Sequence, residues 1–473
     1  MANMLDYLDW YGDFDFDTVP FNEVDNLILS QLAYLDLTGV VPPAPFGSAA
    51  GGDGVAAPSA GAKAGAANGD ASTAASGPAP VAASEAAAFP SVTWREAWEA
   101  FAALNLEVNP ADFGPANAQD TVELLHRGAV SGRRFADVRL SCCERIVDAE
   151  RHEQFGALLA QLPDGASYVS YQGTDGTLIG WLEDCEISYR VVESQEDALA
   201  YLDLVASLTT GPLRVGGHSK GGNLAAFAAA TCSDDVQNRI IEVWCNDSPG
   251  FDDRVVPLEL FRPLADRIRL FTPEFDVVGA LFDHAVESTV IKSSETAVMQ
   301  HAGMSWQVMR GKLVRGDQLP VGSKGVNKAY DQLIRSHEEL PERKKLLDDL
   351  YAELTAAGVT TIDDMLASGP QGIAKMMGSI NSLDETDRKS MNDFLVGIML
   401  GTFQGVVGDA VAPVAKSIGE TLNDAAAATR ASAEKALEDF RAQQRERAQA
   451  RRTARPWRQQ KTDPEENGAP ERP

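Results

Sequence analysis

The sequence predicts an α/β domain built on a mostly parallel β-sheet with helices on both faces. Short apolar runs at 213–215, 240–245, 268–271 and 286–291 have strand length and alternate with helical stretches, as parallel sheets require. Ahead of them, 154–162 and 167–171 flank Pro163, Asp164 and Gly165, the signature of a hairpin. A glycine-rich turn after 213–215 opens into the small-residue helix 224–230. Beyond residue 320 the pattern is helical, so a helical C-terminal region follows the sheet domain.

The chain divides by composition. Residues 1–40 carry Trp10, Phe14, Phe16 and Phe21, then Val24, Leu27, Ile28, Leu32 and Tyr34 at helical spacing. This segment is expected to dock on the domain that follows. Residues 41–88 are almost all Ala, Gly, Pro and Ser, too poor in apolar side chains to offset the entropy of ordering, and are expected to be a disordered insertion. Trp94, Trp98 and Phe101 then give a helical stripe, and the folded domain runs over 89–312. Residues 313–430 form the helical region, with charged helices near 327–355 and an apolar segment at 394–407. That segment carries Gly397, Gly401 and Gly405 and is bounded by Asp393 and Asp409. It is short for a membrane span, and a buried or surface-associated helix is expected. Residues 431–473 make a charged helix and tail. Eight Lys/Arg against one Glu between Arg441 and Lys461 read chiefly as a solvated face, with peripheral contact to an anionic membrane surface as the minority reading.

Charge and cysteine content exclude some classes. The 473 residues hold room for one large domain of roughly 200 to 250 residues plus smaller parts. A formal charge of −28 argues against nucleic acid as a partner, because phosphate binding depends on Lys/Arg. Five cysteines, with Cys142 and Cys143 adjacent, do not read as a disulfide framework. The first forty residues have eight acidic and no basic side chains, so no secretory signal is expected and the cytoplasm is the expected compartment.

The chemistry is carried by Gly217-His218-Ser219-Lys220-Gly221, which fits the G-x-S-x-G nucleophile elbow of an α/β-hydrolase fold. A strand precedes it and a helix follows, so Ser219 would stand exposed on a sharp turn that glycines permit. A serine hydroxyl needs a base and a carboxylate that orients the base, in the order Ser, Asp, His. His301 follows the strand-like 290–292 and is the favoured base, with His284 in reserve. Asp276, just after the strand-like 267–271, is the favoured carboxylate, and Asp247 is its rival. The oxyanion would be met by the backbone N–H of Lys220 and by Thr174 in 171–176, through its N–H and its hydroxyl. The Lys220 ammonium sits in the first turn of a helix, where the dipole disfavours it. It either pairs with a carboxylate or faces an anionic substrate group.

The runs Tyr171-Gln172-Gly173-Thr174-Asp175-Gly176-Thr177, Gly180-Trp181 with Asp184, and 216–225 resemble an uncharacterised bacterial family distantly similar to class 3 lipases, catalogued as domain of unknown function family 2974. Residues 5–10, 22–27, 246–251 and 300–306 carry the same resemblance, which covers 1–40 and about 89–312. It implies an α/β-hydrolase fold, ester substrates and a triad of Ser219, Asp276 and His301. Two residues depart from the lipase pattern. Gln172 stands where an Arg is usual, weakening a supporting ion pair, and Lys220 replaces a Leu, which argues against a neutral triglyceride.

The expected function is hydrolysis of a small-molecule or lipid ester, or another acyl compound, through a Ser219 acyl-enzyme without metal or organic cofactor. The alternative is a non-catalytic scaffold of the same fold that binds a lipid-like ligand or a protein partner.

Overall fold

A computed structural model describes residues 1–45, 89–104, 118–275, 278–279, 281–316 and 340–356. Two capped helices open the chain. Asn3 caps α1 (Met4–Tyr11) and Asn22 caps α2 (Glu23–Leu32), each in a reciprocal capping box with Asp6 or Asp25. After β1 (Val92–Thr93) come α3 (Trp94–Leu104), α4 (Ala118–Val130), β2 (Arg139–Asp148), β3 (Glu153–Gln161) and β4 (Ser167–Tyr171). Then follow α5 (Leu178–Glu186), α6 (Glu193–Leu208), β5 (Leu213–His218), α7 (Lys220–Thr231), α8 (Asp234–Arg239), β6 (Ile240–Asn246), β7 (Ile268–Pro273) and β8 (Thr289–Ile291). A small ribbon of β9 (Val308–Met309) and β10 (Lys312–Leu313) precedes α9 (Leu340–Ala356).

The eight strands β1 to β8 pair in simple sequence order. The β1 to β4 pairings are antiparallel, and β4 to β8 run parallel. The hairpin expected at 154–162 and 167–171 is β3 with β4, and each expected parallel run falls on β5, β6, β7 or β8. The strand β2 was not apparent in the sequence. It carries a register shift between Ser141 and Glu144, which breaks the alternation that marks a strand.

The strand order decides what covers the sheet. Parallel strands joined by right-handed crossovers that all step in one direction place every crossover helix on the same face. Accordingly α6, α7 and the 3-10 helix Leu258–Leu264 share a core with Val169, Tyr171, Val215, Val243 and Leu270. The other face, with Tyr168, Trp244 and Phe271, has no crossover of its own. It is covered by α1 to α4. This is the docking surface the aromatic N-terminal segment was expected to need.

A buried ion pair fixes that segment: Arg134 Nε donates to Asp25 Oδ1 at 2.6 Å, and both side chains are fully buried. Tyr7 donates to the same carboxylate at 3.1 Å. At the other end of the described chain, Arg343 of α9 is 3% exposed and donates at 2.8 Å to both Ser188 O and Asp252 Oδ2. Leu340 and Tyr351 rest against Leu182 and Tyr189. Helix α9 falls within the expected helical region. Of the insertion expected over 41–88, residues 41–45 are described and packed, with Val41 and Ala44 buried and Pro43 bridged to Cys143, whereas 46–88, the apolar segment at 394–407 and the basic run at 441–461 lie outside the described residues. Among the described residues no helix is long and apolar enough to cross a membrane.

Candidate functional site

Strand β5 ends at His218, and Ser219 turns the chain into α7 with φ 58° and ψ −133°. A non-glycine residue at that conformation is strained, and such strain persists only where the surroundings over-determine it. Here Ser219 N–H donates to Asn246 O at 2.9 Å, and Gly222 N–H donates to Ser219 O at 3.0 Å. Gly221 is obligatory, because a Cβ there would lie 2.2 Å from Tyr171 O. This contact presses the start of α7 onto the end of β4. Ser219 retains only 6% of its exposure.

The carboxylate that meets His301 is Asp247, the rival of the favoured residue. Asp247 Oδ2 lies 2.6 Å from His301 Nδ1, and its Oδ1 accepts Gly279 N–H at 3.1 Å. Asp247 is fully buried at φ 49°, directly after β6. Asp276 lies outside the described residues, and the carboxylate at His301 Nδ1 is supplied without it. The sequence places both aspartates after a strand, and nothing in periodicity distinguishes one from the other. The reserve base, His284, points its Nε2–H at Gly279 O, 2.6 Å away, so it supports the loop behind Asp247.

His301 is 7% exposed. Donation of its Nδ1 proton to Asp247 leaves Nε2 with a free lone pair, the tautomer a general base needs. Burial pushes the imidazole below its usual pKa, to about 4, while the adjacent carboxylate pulls the other way; the ring is neutral at pH 7. Its loop is held by the residue before Ser219. His218 Nε2–H donates to His301 O at 2.7 Å, its Nδ1 accepts Tyr34 O–H at 2.9 Å, and the two imidazole centroids are 4.6 Å apart. The histidine adjoining Ser219 thus ties the His301 loop to the elbow and to the N-terminal segment, a role sequence reasoning missed. Complete burial keeps His218 neutral by driving its pKa well down.

The expected oxyanion loop does run beside the elbow. A Cβ on Gly173 would fall 2.5 Å from His218 O and 2.0 Å from the Tyr34 hydroxyl oxygen, so only glycine fits there. Gln154 braces this loop by donating to Gly173 O and accepting from Asp175 N–H, both at 3.4 Å. Thr174 donates its hydroxyl to Asp184 Oδ2 at 2.5 Å, so the hydroxyl proton expected for the oxyanion is directed to a carboxylate. Burial raises Asp184 to about 7. Gln172 accepts from Arg145 Nη1 of β2 at 3.3 Å.

Of the two roles open to Lys220, the structure has the first. Its ammonium is fully buried and donates to Glu183 Oε2 at 2.6 Å and to Gln154 O at 2.7 Å. The pair joins the elbow helix to α5 and the start of β3, and removing one member leaves the other charge stranded. Lys220→Met is expected to cost about 3–5 kcal/mol of stability. Denaturant unfolding checks this, and the double change Lys220→Met with Glu183→Leu should recover most of the loss.

A family model described as Mbeg1-like matches residues 129–352. The match begins at the end of α4, runs through β2 to β8 with Ser219, Asp247 and His301, and ends within α9. No curated protein and no solved structure matches the chain.

Proposed function

We propose that this chain is a serine hydrolase of the α/β-hydrolase type, cleaving a carboxylic ester or related acyl compound through a Ser219 acyl-enzyme. The observation that carries the reading is the strained Ser219 elbow beside a buried His301–Asp247 pair of 2.6 Å. A neutral imidazole whose Nδ1 faces a carboxylate, held through His218 to the elbow that carries Ser219, has the makings of nucleophilic catalysis.

In this reading His301 Nε2 accepts the Ser219 proton as Oγ bonds to the acyl carbon. Asp247 stabilises the resulting imidazolium through Nδ1. The oxyanion is met by the N–H of Lys220 and an N–H of the Gly173-Thr174 loop, and the Thr174–Asp184 bond fixes that loop. Collapse of the tetrahedral adduct passes the proton from His301 to the leaving alcohol, and water then repeats the sequence on the acyl-enzyme. The Lys220 charge is spent on Glu183, and Asp184 and Asp175 stand near the loop, so an uncharged acyl group suits the site better than an anionic one.

The test is reaction of the full chain with a fluorophosphonate probe and with p-nitrophenyl acetate, both small enough for a nucleophile with 6% exposure. Stoichiometric labelling on Ser219 is expected. A folded protein that takes up no label overturns the reading. The pH profile adds a second check. Because burial lowers the His301 pKa, the acidic limb of kcat/KM should lie below pH 6.5, the usual histidine value. Asp247→Asn removes the charge that favours imidazolium, so it should move the limb lower still.

A further inference from the structure

From the geometry, and resting on the hydrolase reading above, we infer that Asn26 and Ser30 of α2 are positioning residues for the reaction, acting on Ser219 and Asp247 through Asn246. Asn246 stands between the two strained residues of the site, Ser219 at φ 58° and Asp247 at φ 49°. Its carbonyl accepts the Ser219 N–H at 2.9 Å, its side-chain amide donates to Gly217 O at 3.1 Å, and the next residue is Asp247. One side chain therefore sets the strand end that carries the nucleophile and the strand end that carries the carboxylate.

That side chain is held from the N-terminal segment. Asn26 Nδ2 donates to Asn246 Oδ1 at 2.9 Å, and Asn246 Nδ2 is shared with Ser30 Oγ at 3.1 Å and Asn26 Oδ1 at 3.3 Å. Tyr168 O–H donates to Asn26 Oδ1 at 2.7 Å and closes the network. All four side chains have no exposure, so no water competes for these bonds. The Asn246 amide cannot flip without losing Gly217 O, which would then face a carbonyl oxygen. A polar chain buried in a helix–sheet junction costs desolvation that packing alone does not require. Its endpoints are the two places where strained backbone must be held. The same segment reaches the base through Tyr34 and His218. The family match at 129–352 omits this segment, so the matched portion lacks α2's hold on its own strand ends.

The test separates positioning from plain packing with a matched control. Asn26→Ala and Ser30→Ala are compared with Leu32→Ala, a fully buried apolar truncation on the same helix. Measurements are made in the full chain, at a temperature where circular dichroism finds all variants folded. The two polar variants are expected to lower kcat for p-nitrophenyl acetate and the fluorophosphonate labelling rate by tenfold or more, with KM within about twofold. Leu32→Ala should lower stability but keep kcat within about twofold. Should Asn26→Ala fail to fold, Ser30→Ala, the smaller change, carries the comparison. Equal kcat losses in the polar and apolar variants would make Asn26 and Ser30 merely structural and overturn the inference. A wild-type protein that does not label sinks the hydrolase reading and this inference together, whereas a labelling wild type with an unimpaired Asn26→Ala sinks only the inference.

Discussion

Ser219→Ala is expected to abolish both fluorophosphonate labelling and ester hydrolysis while leaving the folded state intact. Alanine removes the only atom that can form the acyl bond and fits the space of the serine. The side chain has no hydrogen bond at the helix cap to lose. The backbone bonds that hold the elbow, to Asn246 O and from Gly222 N, are unchanged by the substitution. Both variants should therefore unfold at closely similar temperatures, with activity in one alone. Hydrolysis that survives Ser219→Ala would place the chemistry elsewhere in the molecule.

The second large effect belongs to Asp247. Asp247→Asn preserves shape but replaces the acceptor for His301 Nδ1–H with a group that can donate, which favours the wrong imidazole tautomer and removes the charge that steadies the imidazolium. In a serine–histidine–aspartate triad that change costs about 10⁴-fold in kcat. His301→Ala should be as severe. The double variant should lose little more than the worse single one, because members of such a unit do not act additively. His284→Ala should be milder in kcat, since its Nε2 is given to Gly279 O. Steady-state kinetics on the four variants decides the assignment: near-wild-type kcat in Asp247→Asn would return the role to another carboxylate.

Much of this architecture is legible in the sequence, for reasons that can be named. The runs at 213–215 and 240–245 read as strands because most of β5 and β6 is buried, the charged Arg214 and Glu242 meeting each other near the strand starts, and His301 stands out because few histidines follow Ser219. Local pattern also marks the aromatic segment at 1–40 as needing a surface. What it could not carry is pairing at long range. Asp247 and Asp276 both follow a strand, and only the fold brings one of them to His301, 54 residues from Asp247. Lys220 meets Glu183 across 37 residues, and Asn26 meets Asn246 across 220. The polar chain through Asn26 and Ser30 was hidden for a further reason: both residues sit within an amphipathic helix, where a small polar side chain reads as tolerated rather than used.

The one-directional strand order has a kinetic consequence. Helix α2 is synthesised early, yet β6, whose last residue it clasps, ends some 220 residues later. Contacts of such separation must close a long loop before they stabilise anything, which slows the final step of folding. The crossover side of the sheet can consolidate as the chain emerges, since each helix lies next to the strands it joins. The opposite side must wait, and the strained turn at Ser219 gains its last restraint only when that side closes. Competence for catalysis should thus appear late in refolding, after secondary structure and after most of the apolar burial, as a phase of its own in a stopped-flow experiment that follows labelling and circular dichroism together.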